Sequence, residues 1–250
     1  MCCEEGVVIA ADSMATEAST GNMLLDQSFE VEKLFELGKH IVWGAAGSGG
    51  LTKRTSDAFD ADYRGSSGAY SKPAPQVEMK CRKIIAKIVQ DELDMLPTKD
   101  LDAANKLGIL PNNQFLFAGV IEGRPWIAEM LTLLGPPLSN YTAQGFHAVG
   151  SGGVSAITAY KFLEHHGVRN STLEAIRLVL FRIMDTCVRS AAGGVGPPIV
   201  MYEITKEGSR RLPDHEMEAL SDTLDLWENQ ERECLRGVFV VDVSDDDAKS

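Results

Sequence analysis

Five stretches of this 250-residue sequence carry groups able to do acid, base or anion chemistry. In GVVIAADSMAT, Gly6 to Thr16, Asp12 directly follows an apolar run. A carboxylate there needs a partner or access to water, and a strand end is also an ordinary solvated position. Lys33 sits within EKLFEL. A lysine entering an apolar strand either extends its ammonium outward along its stem or loses pKa to burial and accepts protons. Gly47-Ser48-Gly49-Gly50 offers backbone N–H groups to an anion or a developing oxyanion, and reads equally as a plain turn. It lacks the G-x-x-x-x-G-K-S/T pattern of a nucleoside-triphosphate loop. Gly150-Ser151-Gly152-Gly153 repeats the theme and adds a hydroxyl, or is a tight turn with Ser151 as a helix cap. Asp185, in MDTCVRS, is either surface or orients a hydroxyl network with Ser190.

The elements that must position these groups follow from apolar periodicity. Strands are predicted over Gly6–Ala11, within Phe29–Leu37, and over His40–Ala46, Gln114–Val120, Trp126–Thr132, Thr142–Val149, Ile199–Ile204 and Val238–Val243. Glu122-Gly123 supplies a hairpin turn. Helices are predicted over Gln76–Leu96, Ser151–His166 and Thr172–Arg189, the last with Ser171-Thr172 as its cap and Glu174 nearby. Glu216–Leu226 is amphipathic. Leu51–Pro75 has few apolar positions, and its RGSSGAYSKPAP portion reads as a loop.

Blocks of strands and helices in this order fit an α+β fold rather than alternating parallel units. Near-continuous apolar strands need cover on both faces, so a four-layer α/β/β/α sandwich of two stacked, mainly antiparallel sheets is expected.

Thirty-six acidic against twenty-four basic residues give a net charge of −12, which argues against a nucleic-acid surface. Five irregularly spaced cysteines point to reduced thiols rather than a disulfide framework. Cys2-Cys3 lacks a matching His/Cys cluster, so no zinc site is expected. No apolar run reaches the ~20 residues of a membrane span, and no secretory signal pattern opens the chain. The expected location is cytoplasmic, with a nuclear pool if the source is eukaryotic.

GVVIAADSMAT, EKLFELGKHIVWGAAGSGG and AVGSGGVSAITAYKFLEHHG, with DTCVRS after them, resemble the catalytic β subunits of the 20S proteasome and the related HslV-type peptidases. The resemblance covers about residues 4–204 and implies the N-terminal nucleophile hydrolase fold there, with 205–250 a C-terminal extension ending in an acidic tail. In that family an N-terminal threonine attacks the peptide carbonyl and its α-amino group serves as base. The resemblance implies that Asp12 holds Lys33, that Lys33 tunes the proton transfer, and that Gly47 gives the oxyanion-hole N–H. It implies that Ser151, Asp185 and Ser190 form a supporting network. Thr16 and Gly49 would bind substrate backbone, and Ala45 would line the pocket for the residue before the cleaved bond. Implied partners are other proteasome-like subunits in a ring, unfolded polypeptide substrates and an ATPase or α-type ring. The chemistry requires no metal or organic cofactor.

By the family spacing the threonine falls about five residues ahead of Met1. Three readings stay open: Met1 is internal to a longer product with a threonine-led strand upstream, the chain is a noncatalytic ring subunit, or Met1 is removed and Cys2 becomes the nucleophile of an amidase of the same superfamily. Cys2 stands ten residues before Asp12 (12 − 2), nearer than the family spacing. Each strand residue displaces an atom by ~3.3 Å, so geometry argues against Cys2. A binding module from outside the superfamily would leave Asp12, Lys33 and both glycine turns as coincidences.

Overall fold

The computed structural model describes residues 1–17, 27–98, 102, 104, 110, 112–132, 138–165, 168, 171–190 and 194–239. The chain divides into two compact units, Met1–Leu212 and Pro213–Ser250.

The first unit is a mixed α+β sandwich. One sheet runs β1 (Cys2–Cys3), β2 (Gly6–Asp12), β10 (Ile199–Thr205), β11 (Gly208–Arg211). The second runs β5 (Leu34–Glu36), β6 (Ile41–Ala46), β7 (Gln114–Ile121), β8 (Arg124–Leu131), β9 (Leu138–Asn140). All the pairings among the described residues are antiparallel, and a separate ribbon joins β3 (Met14–Glu17) to β4 (Gln27–Glu30). Alternation along the strands makes the layers, because successive side chains leave opposite faces. Val7 and Ile9 of β2 meet Val42, Ala118, Val120 and Ile127 of the other sheet in the inter-sheet core. Trp43, Phe115 and Phe117 point the other way, into a core closed by helices α1 (Gly49–Ser66) and α2 (Ala74–Asp94). On the outer face of the first sheet, α4 (Leu173–Arg189) packs against β2 and beside α3 (Gly153–Glu164).

Caps and turns show how the local sequence chooses these elements. The Thr172 hydroxyl accepts from Ala175 N–H at 3.3 Å and Glu174 lies in the first turn, so α4 starts where the capping residues predict. Glu122 (φ 51°) and Gly123 (φ 72°) make the left-handed pair that joins β7 to β8 tightly.

Four predicted elements differ. Leu51–Pro75, poor in apolar positions, is helical up to Ser66 as α1, and of the loop expected over Arg64–Pro75, Arg64–Ser66 end α1, Ser67–Ser71 form a 3-10 turn and Ala74-Pro75 begin α2. Ser48 caps α1, and Leu51, Thr55 and Phe59 bury a ridge one residue wide, enough to seat it on Trp43 and Phe117. The strand expected over Thr142–Val149 is a 3-10 turn at Thr142–Gln144 followed by irregular chain. The Asn140 carboxamide oxygen accepts from Thr142 N–H at 2.9 Å and Gly145 turns left-handed (φ 74°), so the sheet edge falls to β9 instead. The stretch Phe29–Leu37 divides between β4 and β5, in different sheets. Of Val238–Val243, Val238 and Phe239 end a helix and the remainder lies outside the described residues.

In the second unit, α5 (Asp214–Phe239) carries Asp214 and Glu216 in its first turn and Arg236 in its last, the polarity a helix dipole favours. No helix among the described residues is long and apolar enough to cross a membrane.

Candidate active site

β2 delivers Asp12 to the end of the first sheet, opposite Ile199 of β10. Val31 N–H donates to Ser13 O at 2.7 Å, which brings the segment before β5 alongside that end. Lys33 therefore reaches Asp12, and its Nζ donates to Oδ1 at 2.8 Å. The second oxygen, Oδ2, accepts from Met14 N–H and Gly196 N–H, each at 3.2 Å. Two backbone donors and an ammonium thus fix the carboxylate plane. The lysine backbone crosses β6 closely: a Cβ on Gly44 would stand 2.9 Å from Lys33 O, so Gly44 makes room for it.

Both side chains line a cavity of about 1120 Å³ that runs along β2 from Met1 to Asp12 and is walled by the two glycine turns. Gly47 has φ 124°, and a Cβ there would come within 2.3 Å of Asn112 O, so no other residue fits that turn without a shift. Ser48 follows and caps α1, its hydroxyl accepting from Leu51 N–H at 3.4 Å. Gly150 has φ 85°, and its missing Cβ would lie 3.0 Å from the Ala46 Cβ. The second turn therefore leans on the strand that leads into the first.

Ala45, Gly49 and Ser151 also line the cavity. Ser151 does not cap a helix: α3 begins at Gly153, and no side chain caps it. Thr16 lies on β3, opposite Ser28 of β4. Asp185 pairs with Arg189 at 2.7 Å, one helical turn along α4, and the Ser190 hydroxyl donates to Cys187 O at 3.1 Å. Neither contact joins Asp185 to Ser190. The face of α4 on the cavity is instead Leu180, Ile183, Met184 and Cys187. Burial first, and the nearby Asp12 charge second, push the Cys187 thiol above its ordinary value, so it stays protonated.

Sequence reasoning missed three polar side chains around this cavity. Asn113 and Gln114 bond the two glycine turns, and an Asn-Asn-Gln run at a strand start reads as turn-forming residues. His147 lines the cavity wall, with Nε2 2.9 Å from Glu129 Oε2 and its ring stacked on Tyr141 at 3.6 Å between centroids. Burial, then the Glu129 charge and hydrogen bond, push the Tyr141 hydroxyl up. The Phe146-His147 stretch read as strand and concealed this pair.

Among the described residues no three His, Cys, Asp or Glu side chains are grouped to hold a metal ion. The arrangement offers a fixed carboxylate, an ammonium held by it, and two glycine turns on one cavity, a set suited to polarising a hydroxyl and receiving an oxyanion.

A family model described as "Proteasome subunit" matches residues 1–93, the span containing Asp12, Lys33 and the first glycine turn. A curated "Proteasome subunit beta" of Stackebrandtia nassauensis is 28% identical over 227 residues, covering 88% of this chain and 74% of that protein. Along with the antiparallel α+β sandwich and the glycine turn that follows β6, these matches make the chain similar to proteasome β-type subunits.

Proposed function

We propose that this chain is a threonine-type endopeptidase subunit whose nucleophile stands on a strand continuing β1 ahead of Met1. The observation that carries the reading is the Asp12–Lys33 bond on the same cavity wall as the Gly47 turn. The register of β1 on β2 supports it. Cys2 is opposite Val7 and Cys3 opposite Gly6, numbers that sum to nine, so each residue ahead of Met1 would meet one further along β2. The fifth would meet Ser13, beside Asp12. Met1 already bonds as a strand residue does, its nitrogen donating to Val8 O at 2.8 Å and its carbonyl accepting from Val8 N–H at 2.8 Å.

In this chemistry the threonine Oγ–H passes its proton to the α-amino group as Oγ attacks the peptide carbonyl. The carbonyl oxygen becomes an oxyanion that accepts from the Gly47 N–H. The α-ammonium then protonates the departing amine, and water hydrolyses the ester. Lys33, held by Asp12, favours the developing alkoxide by its charge. Substrate lies extended between the β3 segment at Thr16 and the Gly47–Gly49 turn, and a side chain as small as Ala45 leaves the adjoining pocket open. Ser151 belongs to the network near the α-amino group. Asp185 and Ser190 keep the end of α4 that precedes Gly194 and the Asp12 donor Gly196.

Similarity to proteasome subunits supports assembly with other subunits of that kind. Unfolded polypeptide as substrate, and an ATPase or α-type ring as feeder, belong to this proposal.

The noncatalytic reading keeps one observation: the Asp12 bonds also tie β2 to Lys33 and Gly196, which needs no turnover. The Cys2 reading loses ground. Cys2 faces Val7, five strand residues short of Asp12, about 16 Å at ~3.3 Å each. Burial also pushes its thiol pKa up, away from a nucleophilic thiolate.

Intact mass and N-terminal sequencing of the protein from its native source, followed by peptide hydrolysis, test the proposal. A mature threonine start with turnover supports it. A start at Met1 with no turnover leaves a ring wall, and a start at Cys2 with turnover abolished by alkylation revives the amidase.

A further inference from the structure

Two adjacent amides where the chain enters β7, Asn113 just before it and Gln114 opening it, have no part in the chemistry above, yet each grips one of the glycine turns. Asn113 is fully buried. Its Oδ1 accepts from Ser48 N–H at 3.0 Å, while Nδ2 donates to Ser48 O at 3.1 Å and to Thr52 Oγ1 at 3.2 Å. The flipped amide would set a donor against the Ser48 N–H, so the bonding pattern fixes the orientation. The same side chain is the floor of the Gly47 turn: a Cβ on Gly47 would lie 2.9 Å from both Asn113 Cγ and Oδ1. The Asn113 backbone is pinned in turn, its N–H donating to Thr132 Oγ1 at 2.8 Å and its carbonyl accepting from Thr132 N–H at 3.1 Å.

Gln114 holds the other turn. Its Oε1 accepts from Gly150 N–H at 2.7 Å, and its backbone pairs with Ala46 on one side and Leu131 on the other. Consecutive residues, Asn113 and the Gln114 that opens β7, thus fasten two turns that come from chain segments about a hundred residues apart (150 − 47). One peptide unit, among the stiffest links in a protein, joins the two residues that hold the Gly47 and Gly150 turns.

We propose that Asn113 and Gln114 are the positioning residues of this site. Asn113 fixes the turn whose Gly47 N–H receives the oxyanion, and Gln114 fixes the Gly150–Ser151 turn in register with it. The proposal rests on the threonine-type reading of the site. Its cost when broken follows from geometry: a donor displaced by ~1 Å forfeits ~100-fold in rate, whereas substrate contacts elsewhere in the groove are untouched.

The test uses the assembled particle made from the full native gene, with steady-state hydrolysis of a fluorogenic peptide panel. Asn113→Asp separates positioning from bulk. When protonated, its carboxyl accepts from Ser48 N–H and donates to Ser48 O as the amide does. When ionised it has no donor and sets a buried charge against a carbonyl. Burial raises its pKa, so kcat is near the wild-type value at acid pH and falls about 10–100-fold as pH rises, with KM within about twofold. The wild type lacks that limb. Gln114→Leu lowers kcat by about tenfold, and Gln114→Glu, which keeps the acceptor, restores most of it. Lys80→Ala, which strips a charged donor from Asp62 between α1 and α2 and touches neither glycine turn, serves as the control for destabilisation alone.

Amide exchange over residues 44–51 gives a readout independent of turnover. It rises at Ser48 in Asn113→Asp at neutral pH and is unchanged in Gln114→Leu. If Lys33→Ala is inactive while Asn113→Asp and Gln114→Leu keep wild-type kcat at every pH, the positioning proposal alone is overturned. A fall in kcat no larger than that of Lys80→Ala at equal thermal stability overturns it as well. If Lys33→Ala turns over like the wild type, the threonine-type reading fails and the two amides are left as a structural clamp.

Discussion

Two Asp–Lys pairs share the same 2.8 Å contact, and their surroundings separate their roles. Asp62 and Lys80 join α1 to α2 on the outer face of the sandwich. There Asp62 also accepts from Tyr70 OH at 2.7 Å and Ser66 Oγ at 3.3 Å, and Lys80 donates to Ser66 Oγ at 2.7 Å while lying over the Tyr70 ring. Side chains close that network on itself. Asp12 is instead held by backbone, Met14 N–H and Gly196 N–H, and its lysine lines a cavity. Backbone donors fix a carboxylate without using up side chains, which leaves the lysine aimed by one rigid partner and available to a reacting group. A closed network stabilises two helices; an open one is the arrangement that the proposed chemistry needs.

Removing the two lysines breaks that comparison most sharply. Lys33→Ala should lower peptide turnover by at least about a thousandfold, roughly 4 kcal/mol of barrier at ~1.4 kcal/mol per tenfold. Lys80→Ala should leave turnover per assembled site unchanged and cost about 1–3 kcal/mol of stability, since it strips Asp62 of a charged donor. Kinetics and thermal unfolding of both variants check the pair together. Equal losses of turnover in the two would erase the distinction between a positioning network and a structural one.

How much of this was legible in the sequence varies with how local the cause is. The alternation in Ile41-Val42-Trp43 and the apolar run of β2 announce strands covered on both faces, because burial dictates residue type position by position. The cap of α4 announces itself for the same reason. α1 did not, because a ridge of Leu51, Thr55 and Phe59 needs only every fourth residue to be buried and leaves the remainder polar or small. The Thr142–Val149 segment misled because one Asn side chain and one left-handed glycine outweigh its apolar content. At the site, Asp12 and Lys33 are twenty-one residues apart in sequence (33 − 12), and only family resemblance joined them. Asn113 and Gln114 carried no signal, since their partners are backbone atoms of Ser48 and Gly150, which any residue supplies.

The smallest expected effect sharpens the comparison through pH. Burial by itself would raise the Asp62 pKa, but the hydrogen bonds from Lys80, Tyr70 and Ser66 outweigh it and hold the carboxyl below its ordinary 3.8. A depressed folded pKa means that the ionised form favours the folded state. The contribution is fully present above 3.8 and is lost as pH falls through the lower folded value. Asp62→Asn keeps an acceptor but no charge, so at neutral pH the variant melts below the wild type by a few degrees or less. As the medium is acidified below 3.8, the difference between the two melting temperatures should narrow, because the wild type protonates Asp62 and loses the same interaction. Calorimetry of the two assembled proteins from pH 7 downward measures that difference. A gap that stays constant through the acid range would mean that Lys80 and Tyr70 bond Asp62 as well when it is neutral, and that the outer network draws its strength from shape rather than charge.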